Sequence, residues 1–263
     1  MELFESFTIT RIRDQEVRQE EDLVVREFPL KILLNQQELV TLVCSPVKLD
    51  ELAVGFLFSE GLLKSRDDIL LLEQKEDRLA LTLAEADLKT TGLKNRIITS
   101  GCGRSMIYTD LNGTGLKKVR TQLQIEAEKL LEWSIALAQQ SELFKKTGGV
   151  HNSLLVDVGS DWQAFREDIG RHNTVDKLIG HLILNGLPAA SKILLTSGRI
   201  TAEILLKTAR IGLPMVVSAS APTDLAIRLA YRLGITLVGF VRGKRMNIYT
   251  HRERIGSWPG SCK

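Results

Sequence analysis

The apolar positions in the first part of the chain fall into short runs separated by polar, turn-forming residues, a pattern typical of β-strands. The strands predicted in this way form two hairpins, at residues 30–34 with 39–43 and at residues 69–72 with 79–83. Between the hairpins, apolar residues at helical spacing predict a helix that begins after Asp50, the expected N-cap, and ends at Gly61. We therefore expect residues 1–115 to form a β-rich N-terminal region.

Further along the chain the apolar pattern alternates between the period of a strand and that of a helix. The predicted strands are residues 153–158, 162–167, 192–196, 214–218 and 236–241, and the predicted helices are residues 123–145, 173–184, 201–211 and 224–233. Strands that alternate with helices of 10 to 12 residues predict βαβ units and a parallel sheet covered on both faces. The fold class is therefore α/β, and residues 116–263 are expected to form the second, larger domain.

The composition of the chain argues against a nucleic-acid-binding protein and against a membrane protein. Apolar residues make up 44% of the 263 residues and charged residues 25%, which is ordinary for a globular protein in water. A net charge of +3 is too small to indicate a nucleic-acid partner. No apolar run approaches the roughly 18 residues that a membrane helix needs, and the N-terminus lacks a signal pattern, so we expect a cytoplasmic protein.

Metal chemistry has little support in the sequence. The three cysteines form no C-x-x-C pair and the four histidines supply no H-x-x-x-H, so a structural zinc site is not expected. The zinc deaminase signature, H-x-E followed by P-C-x-x-C, is missing as well.

Hydroxyl groups and cations follow three successive predicted strands of the α/β part. They are Ser197 and Arg199, Ser220, and then Arg242, Lys244 and Arg245. Ligands of open α/β sheets bind at the carboxyl ends of the strands, and arginines with free amides at helix starts suit phosphate. The alternative is that the hydroxyls cap helices, as Thr223 is expected to do, and that the cations are solvated. No Walker motif or G-x-G-x-x-G is present.

Two further segments carry titratable side chains. His151 begins a predicted strand, and it either has a structural role or donates a proton or hydrogen bond to a ligand. Residues 166–173 (REDIGRHN) crowd charged groups, including Arg171 and His172, into one strand-to-helix turn, with Asn173 as the expected cap. Both an internal salt-bridge network and a polar ligand site fit this turn.

Cys102 lies between two glycines, with Arg104 two positions later. The glycines leave the sulfur little hindered, and Arg104 would lower the thiol pKa, so the residue is either a reactive thiol or a turn cysteine without a role. Cys44 lies in an apolar run and is expected to be buried and inert, and Cys262 lies in the C-terminal tail.

Taken together, the motifs resemble those of the FdhD family, the formate dehydrogenase accessory sulfurtransferases. The motifs are residues 51–61 (ELAVGFLFSEG), 100–103 (SGCG), 147–151 (TGGVH), 166–173 (REDIGRHN), 176–179 (DKLI), 197–199 (SGR), 220–222 (SAP), 237–243 (LVGFVRG) and 247–251 (NIYTH). Each motif alone is weak, whereas the ordered set over about 200 residues is specific.

The resemblance implies a cytoplasmic homodimer that takes sulfur from a cysteine desulfurase and holds it as a persulfide. The acceptor would be the molybdenum bis(pterin guanine dinucleotide) cofactor, which formate dehydrogenase needs. The implied fold is a small β-rich domain plus a larger three-layer domain that is similar to cytidine deaminases but has no zinc.

The resemblance also assigns residues. Cys102 matches the persulfide cysteine, and the cofactor-binding stretch matches Phe240, Val241, Arg242, Gly243, Lys244 and Arg245. Further candidate cofactor-binding residues, from the strand ends and motifs above, are His151, Arg171, His172, Ser197, Arg199 and Ser220.

One departure from the family pattern concerns the cysteine site. Many family members have a C-x-x-C pair here, whereas this chain has Ser105 at the second position. Sulfur transfer would therefore use Cys102 alone. The departure keeps a second hypothesis open, a chaperone that binds and presents the cofactor without moving sulfur. A third hypothesis, a metal-free hydrolase, has only His151 and the carboxylates of residues 166–173 in its favour.

Overall fold

The protein is described by a computed structural model, which covers residues 2–84, 96–98 and 115–256. The segment that carries Cys102, Arg104 and Ser105 lies outside the described residues, and so does Cys262. The predicted division at residues 115 and 116 stays a prediction.

The N-terminal part contains a separate hairpin and a five-stranded sheet. Its strands are β1 (Phe4–Arg13), β2 (Glu16–Val25), β3 (Phe28–Leu34), β4 (Gln37–Cys44), β5 (Ile69–Lys75), β6 (Arg78–Leu83) and β7 (Arg96–Ile98). Strands β1 and β2 pair only with each other among the described strands, and the sheet order of the rest is β5-β6-β3-β4-β7. Both predicted hairpins, β3–β4 and β5–β6, are confirmed.

Helix α1 (Leu49–Ser59) follows β4 and is almost entirely buried. Its N-cap is Lys48, in a left-handed conformation, so the prediction of Asp50 as the cap is wrong. Asp50 lies in the first turn instead, where a carboxylate interacts favourably with the positive end of the helix dipole.

The second part of the chain is a three-layer α/β/α structure. Its strands are β8 (His151–Asp157), β9 (Gln163–Asp168), β10 (Lys192–Thr196), β11 (Met215–Ser218), β12 (Thr236–Arg242) and β13 (Arg245–Thr250). Its helices are α2 (Ala127–Gln140), α3 (Glu142–Thr147), α4 (Arg171–Leu184), α5 (Ala202–Ile211) and α6 (Asp224–Leu233). Successive strand residues face opposite layers: Leu195 packs on the α2 side, and Leu194 packs in the core on the other side, with α4 to α6. The α/β class is confirmed.

The sheet is mixed rather than parallel, which corrects the prediction. Its order is β13-β12-β11-β10-β8-β9, and the parallel neighbours are β10 with β11 and β11 with β12. Strands β8, β9 and β13 run antiparallel to their neighbours. The pattern of apolar runs cannot distinguish the two directions, because the antiparallel strand β8 is buried on both faces just as the parallel strand β10 is.

Two helix boundaries also differ from the predictions. The helix predicted at 123–145 is two helices separated at the buried Ser141, whose hydroxyl donates to Glu167 on β9. Helix α4 begins at Arg171 with Gly170 as its N-cap, so Asn173 is not the cap. Thr223 is confirmed as the cap of α6, since its hydroxyl accepts from the amide of Ala226.

Helix α1 of the N-terminal part crosses α4 of the second part at very short range. A Cβ atom added to Gly55 would lie 1.8 Å from the carbonyl oxygen of Asp176, and one added to Gly180 would lie 1.9 Å from that of Glu51. Glycine at both positions lets the two backbones touch, and the apolar residues of both helices belong to one continuous core.

Candidate functional site

Most of the predicted cofactor-binding residues meet at one edge of the six-stranded sheet, whereas the predicted catalytic residue Cys102 lies outside the described residues. The parallel strands β10, β11 and β12 all end there, β8 begins there, and β9 ends there because His151 pairs with Asp168. Helices α4, α5 and α6 start just beyond this edge, at residues 171, 202 and 224. We call it the strand-end edge. Amides at helix starts and the strand-end hydroxyls are thus gathered on one side of the molecule.

Ser197 links β10 to the beginning of β8. Its amide donates to the carbonyl of Asn152 at 2.9 Å, and its hydroxyl accepts from the Asn152 amide at 3.0 Å. The same hydroxyl lies 3.5 Å from Nδ1 of His151. Ser197 therefore holds the backbone of β8 in place and sets the position of His151, in addition to any contact with a ligand. The side-chain oxygen of Asn152 is buried without a hydrogen-bond partner in the described part of the chain.

Arg171 and Arg199 are two neighbouring cations at this edge. The stem of Arg171 lies against Gly198, where an added Cβ would come within 2.9 Å of the Arg171 Cβ. Burial and the charge of Arg199 lower the pKa of Arg171, and the Nε of Arg171 is buried without a partner among the described residues. Two mutually repelling guanidinium groups with an unused donor form a site that an anion would stabilise.

The two histidines beside these arginines are neutral at physiological pH. Burial, followed by the charge of Arg171, lowers the pKa of His151. Burial, followed by the charges of Lys207 and Arg171, lowers the pKa of His172 to about 3. His172 is only 8% exposed, and its Nε2 has no partner within the described chain. Both rings therefore offer hydrogen bonds rather than charge.

The hairpin formed by β12 and β13 supplies the remaining cations. Arg242 lies directly opposite Arg245 in this pair, and the Arg242 Nε donates to the carbonyl of Ala219 at the end of β11. Like charges directly opposite each other destabilise a hairpin, so this pair also favours an anion nearby. Gly243 adopts a left-handed conformation in the turn, next to the exposed Lys244.

Phe240 and Val241 in the same strand differ in exposure. A bulge in β12 places Phe240 in a left-handed conformation, and its ring is 37% exposed while its amide donates to the carbonyl of Ser220. A left-handed conformation is rare for a bulky residue and is a sign of functional constraint. Val241 is buried in the core on the α2 side, so its side chain does not face the strand-end edge.

A fully buried ionic cluster supports the turn that carries Arg171 and His172. Asp168 accepts from Lys177 at 2.6 Å, from the side-chain amide of Asn173 at 2.7 Å, and from the backbone of Ser45 at 3.0 Å. Lys177 also donates to the carbonyl of Ser45. We call Ser45, Asp168, Asn173 and Lys177 the Asp168 cluster. Sequence reasoning missed it, although a lysine between the apolar Val175 and Leu178 was a signal.

The internal salt-bridge alternative for residues 166–173 is correct for part of the turn. Arg166 forms a two-pronged ion pair with Glu51 of α1, in which Nη2 lies 2.6 Å from Oε1. Asp168 pairs with Lys177. Arg171 Nε and His172 Nε2, in contrast, have no hydrogen-bond partner among the described residues, although Nδ1 of His172 lies 3.8 Å from Glu203. The turn therefore combines a structural half with a half that keeps two buried nitrogens without a described partner.

The Asp168 cluster also connects the strand-end edge to the strand that leads to Cys102. Strand β7 is parallel to β4, with Ile98 beside Leu42, and Ser45 follows β4 directly. Ile98 therefore lies at the same end of the N-terminal sheet that the cluster fixes to β9 and α4, and Cys102 follows Ile98 by four positions in the sequence, outside the described residues.

Cys44 behaves as predicted. It is fully buried in the core, and burial raises the pKa of its thiol to about 12. Since the thiolate is the reactive form, Cys44 is inert.

Two further searches concern metals and membranes. Across the described ranges, no three His, Cys, Asp or Glu side chains are grouped as metal ligands. None of the described helices has the length and apolar character that a bilayer crossing requires.

Comparison with known proteins gives consistent matches over nearly the whole chain. The model of the FdhD/NarQ family matches residues 25–256. The chain is 41% identical to the sulfur carrier protein FdhD of Bacillus subtilis over 251 residues, which cover 94% of this chain and 95% of that protein. It is 42% identical to the protein of the same name from Bacillus pumilus, over 89% of this chain and 90% of that one.

A solved structure is similar as well. It is the crystal structure of a protein from Desulfotalea psychrophila that is described as a candidate formate dehydrogenase accessory protein. The two structures superpose with a TM-score of 0.79 at 27% identity, over 97% of this chain and all of that one.

Proposed function

This chain belongs to the FdhD/NarQ family, and from that membership we propose that it is a sulfur carrier. In this proposal Cys102 accepts sulfur from a cysteine desulfurase and passes it to the molybdenum bis(pterin guanine dinucleotide) cofactor, which formate dehydrogenase then uses. The protein acts in the cytoplasm. The acceptor part of the proposal rests on the cations at the strand-end edge, which form no ion pair with the described residues.

The strand-end edge suits a guanine dinucleotide. Such a molecule carries a pyrophosphate, and Arg171, Arg199 and Arg242 offer positive charge beside the amides of three helix starts. Phe240 presents an exposed ring beside these cations, and aromatic rings stack on nucleobases. The neutral His151 and His172 add hydrogen-bonding groups without attracting further anions.

Sulfur moves in two steps in this proposal. The Cys102 thiolate attacks the terminal sulfur of the desulfurase persulfide, so a new S–S bond forms and the desulfurase cysteine leaves as a thiolate. Transfer to the acceptor then breaks that bond and returns the Cys102 thiolate. The reduced metal of the acceptor supplies the two electrons that convert the sulfane sulfur into a sulfide ligand.

The described strand that precedes Cys102 in the sequence supports the proposal. Ile98 at the end of β7 comes four positions before Cys102, and the neighbouring strand β4 leads to Ser45 in the Asp168 cluster. The cluster also carries the turn of Arg171. Strand β7 therefore ends at the part of the N-terminal sheet that the cluster joins to the edge where we propose that the acceptor binds.

Mass spectrometry tests the proposal. We expect the protein to gain about 32 Da on Cys102, the mass of one sulfur in a persulfide, after incubation with a cysteine desulfurase and cysteine. Cys44 and Cys262 are internal controls and should stay unmodified. Cys102→Ala should neither gain sulfur nor restore formate dehydrogenase activity in cells that lack the protein.

The contrary outcome is equally clear. If Cys102→Ala restores full formate dehydrogenase activity, the protein does not carry the sulfur itself. Binding of a guanine nucleotide by that same variant would then favour the chaperone that presents the cofactor.

A further inference from the structure

The loop after β10 brings three titratable side chains together at the strand-end edge. The Ser197 hydroxyl lies 3.5 Å from Nδ1 of His151, and the stem of Arg171 lies against Gly198. Arg199 is the next residue in the chain. Burial lowers the pKa of His151, and the charges of Arg171 and Arg199 lower it further, so both guanidinium groups lie close to this ring. An anion bound to the two arginines would therefore lie beside His151 as well.

Among the described residues, four charged or titratable groups face His151 from the elements packed around it. Arg171 and His172 come from α4, and Arg199 comes from the loop between β10 and α5. Asp168 of β9 raises the pKa of His151, but its carboxylate is enclosed in the Asp168 cluster. The ring is thus kept neutral by its burial and by the two arginines, and a ligand can cancel the charge of the arginines.

His172 differs from His151 in what keeps it neutral. Burial lowers the pKa of His172 to about 3, and the next cause is the charge of Lys207, which is fully buried and paired with Asp176. An anion at the strand-end edge neither exposes this ring nor cancels a charge inside the core, so His172 stays neutral. His151 is only partly buried, and it is the histidine that responds to a bound anion.

The Ser197 hydroxyl can serve both protonation states of His151. Its oxygen accepts a hydrogen bond from the Asn152 amide at 3.0 Å and keeps a second lone pair. The hydroxyl can donate to a bare Nδ1 in the neutral ring, and the same oxygen can accept from Nδ1–H in the charged ring. His151 can therefore gain a proton without any change in the backbone of β8.

We propose that the strand-end edge binds a diphosphate together with one proton, which His151 takes up from the solvent. This inference rests on the proposed function, because the diphosphate is that of the guanine dinucleotide acceptor. The bound anion cancels the charge of the two arginines and pairs with the imidazolium, which becomes a third cation beside it. Binding of the acceptor therefore strengthens as the pH falls.

The direction of this pH dependence follows from the linkage of proton and ligand binding. A negative charge within about 4–6 Å raises the pKa of a nearby group by about 1 to 3, so the complex holds a proton at a pH where the free protein does not. Affinity then increases as the pH falls through the pKa of His151 in the complex. It levels off below the pKa of His151 in the free protein, where both forms are protonated.

Isothermal titration calorimetry with guanosine diphosphate tests the proposal. Titrations at pH 6.5 in buffers of different ionisation enthalpy give the number of protons taken up on binding. The wild type should take up at least about half a proton more than His151→Gln, whose amide can donate a hydrogen bond but does not titrate. From pH 8 to pH 6 the affinity of the wild type should increase about tenfold more than that of the variant. The comparison of the two proteins removes the protonation of the nucleotide itself.

Two controls restrict the effect to this site. His251→Gln removes a histidine that follows β13 at the opposite edge of the sheet, and it should keep the full proton uptake. Guanosine, which has no diphosphate, should bind without proton uptake. Equal uptake by the wild type and His151→Gln would overturn the inference and leave the proposed function standing. If the wild type bound no guanosine diphosphate at any pH, the acceptor part of the proposed function would fail, and the inference with it.

Discussion

Residues 166–173 contain charged side chains in two contrasting environments, one with buried ion-pair partners and one beside a like charge. Arg166 is 13% exposed at its side chain and is fully engaged by Glu51, and Asp168 is enclosed by Lys177, Asn173 and Ser45. Five positions after Arg166, Arg171 repels Arg199, and its Nε has no hydrogen-bond partner among the described residues. An arginine therefore forms a buried structural ion pair at position 166, whereas at position 171 an arginine lies beside a second cation.

The difference lies in whether desolvation is compensated by a partner. Removing a charge from water costs several kcal/mol unless a partner and hydrogen bonds compensate. In the Asp168 cluster the chain itself supplies that compensation. At the strand-end edge the described residues supply much less of it, so a ligand of opposite charge would be stabilised by cations that form no ion pair there.

The largest expected effect is a loss of stability on breaking the Asp168 cluster. Lys177→Met removes the cation and leaves Asp168 buried without its counter-ion, so we expect a loss of about 3–5 kcal/mol in the free energy of unfolding. Urea denaturation followed by circular dichroism measures it.

Two variants control this prediction. Lys129→Met breaks an exposed pair with Glu132 and should change stability far less than Lys177→Met does. Adding Asp168→Asn to Lys177→Met removes the unpaired charge but keeps an acceptor oxygen, so it should recover part of the loss. Equal effects of Lys177→Met and Lys129→Met would contradict the assigned role of the cluster.

The second prediction concerns how the stability of the protein depends on pH through His172, which lies between the Asp168 cluster and the strand-end edge. His172 has a pKa of about 3 in the folded protein because it is buried beside Lys207 and Arg171, whereas an unfolded histidine titrates near 6.5. Between these values the unfolded chain binds the extra proton. Stability that is present above about pH 6.5 is therefore lost as the pH falls, with a slope of up to about 1.4 kcal/mol per pH unit from this group.

The variant His172→Gln isolates that contribution. It has no titrating ring, so its stability should decline less steeply than that of the wild type between about pH 6.5 and 4. Burial raises the pKa of Asp176 and Glu203, which acts in the opposite direction, but those groups are common to both proteins. Identical pH slopes for the two proteins would show that His172 is not held neutral by its surroundings.

Local signals in the sequence predicted much of the fold. Thr223 lies before an apolar helical pattern, and α6 begins where that hydroxyl can accept a backbone hydrogen bond. Strand β10 agrees with its predicted range because a short apolar run between polar residues can hardly be read otherwise. These signals act over three or four residues, so a single sequence contains them completely.

Contacts between distant parts of the chain explain the failures. Asn173 resembles a helix cap, yet its amide is used by Asp168 and by the carbonyl of Val43, 130 positions away. The break at Ser141 depends on Glu167, and the edge strand β13 is too polar for an apolar pattern to predict it. The candidate site shows the same limit: strand ends predicted the cations, but not which of them the fold leaves unpaired.

The smallest expected effect on stability comes from removing the guanidinium group of Arg171, and its expected effect on ligand affinity is the most specific. Arg171→Gln removes a cation from the strand-end edge without breaking an ion pair between described residues, so its stability should stay within about 0.5 kcal/mol of the wild type. Its affinity for guanosine diphosphate, which carries the guanine and pyrophosphate of the proposed acceptor, should fall about tenfold, as expected for loss of one charge-assisted contact. Isothermal titration calorimetry measures the affinity, and guanosine, which has no phosphate, should bind both proteins equally.

Arg166→Gln is the reciprocal case, because it makes the same chemical change five positions earlier. It leaves Glu51 buried without its main partner, so stability should fall by several kcal/mol. The folded fraction should still bind guanosine diphosphate with nearly the wild-type affinity, since the Arg166 guanidinium is engaged by α1 rather than directed at the strand-end edge. If Arg171→Gln instead destabilised the fold and left the nucleotide affinity unchanged, Arg171 would belong with the structural charges, and the unpaired state of its Nε would not mark a ligand site.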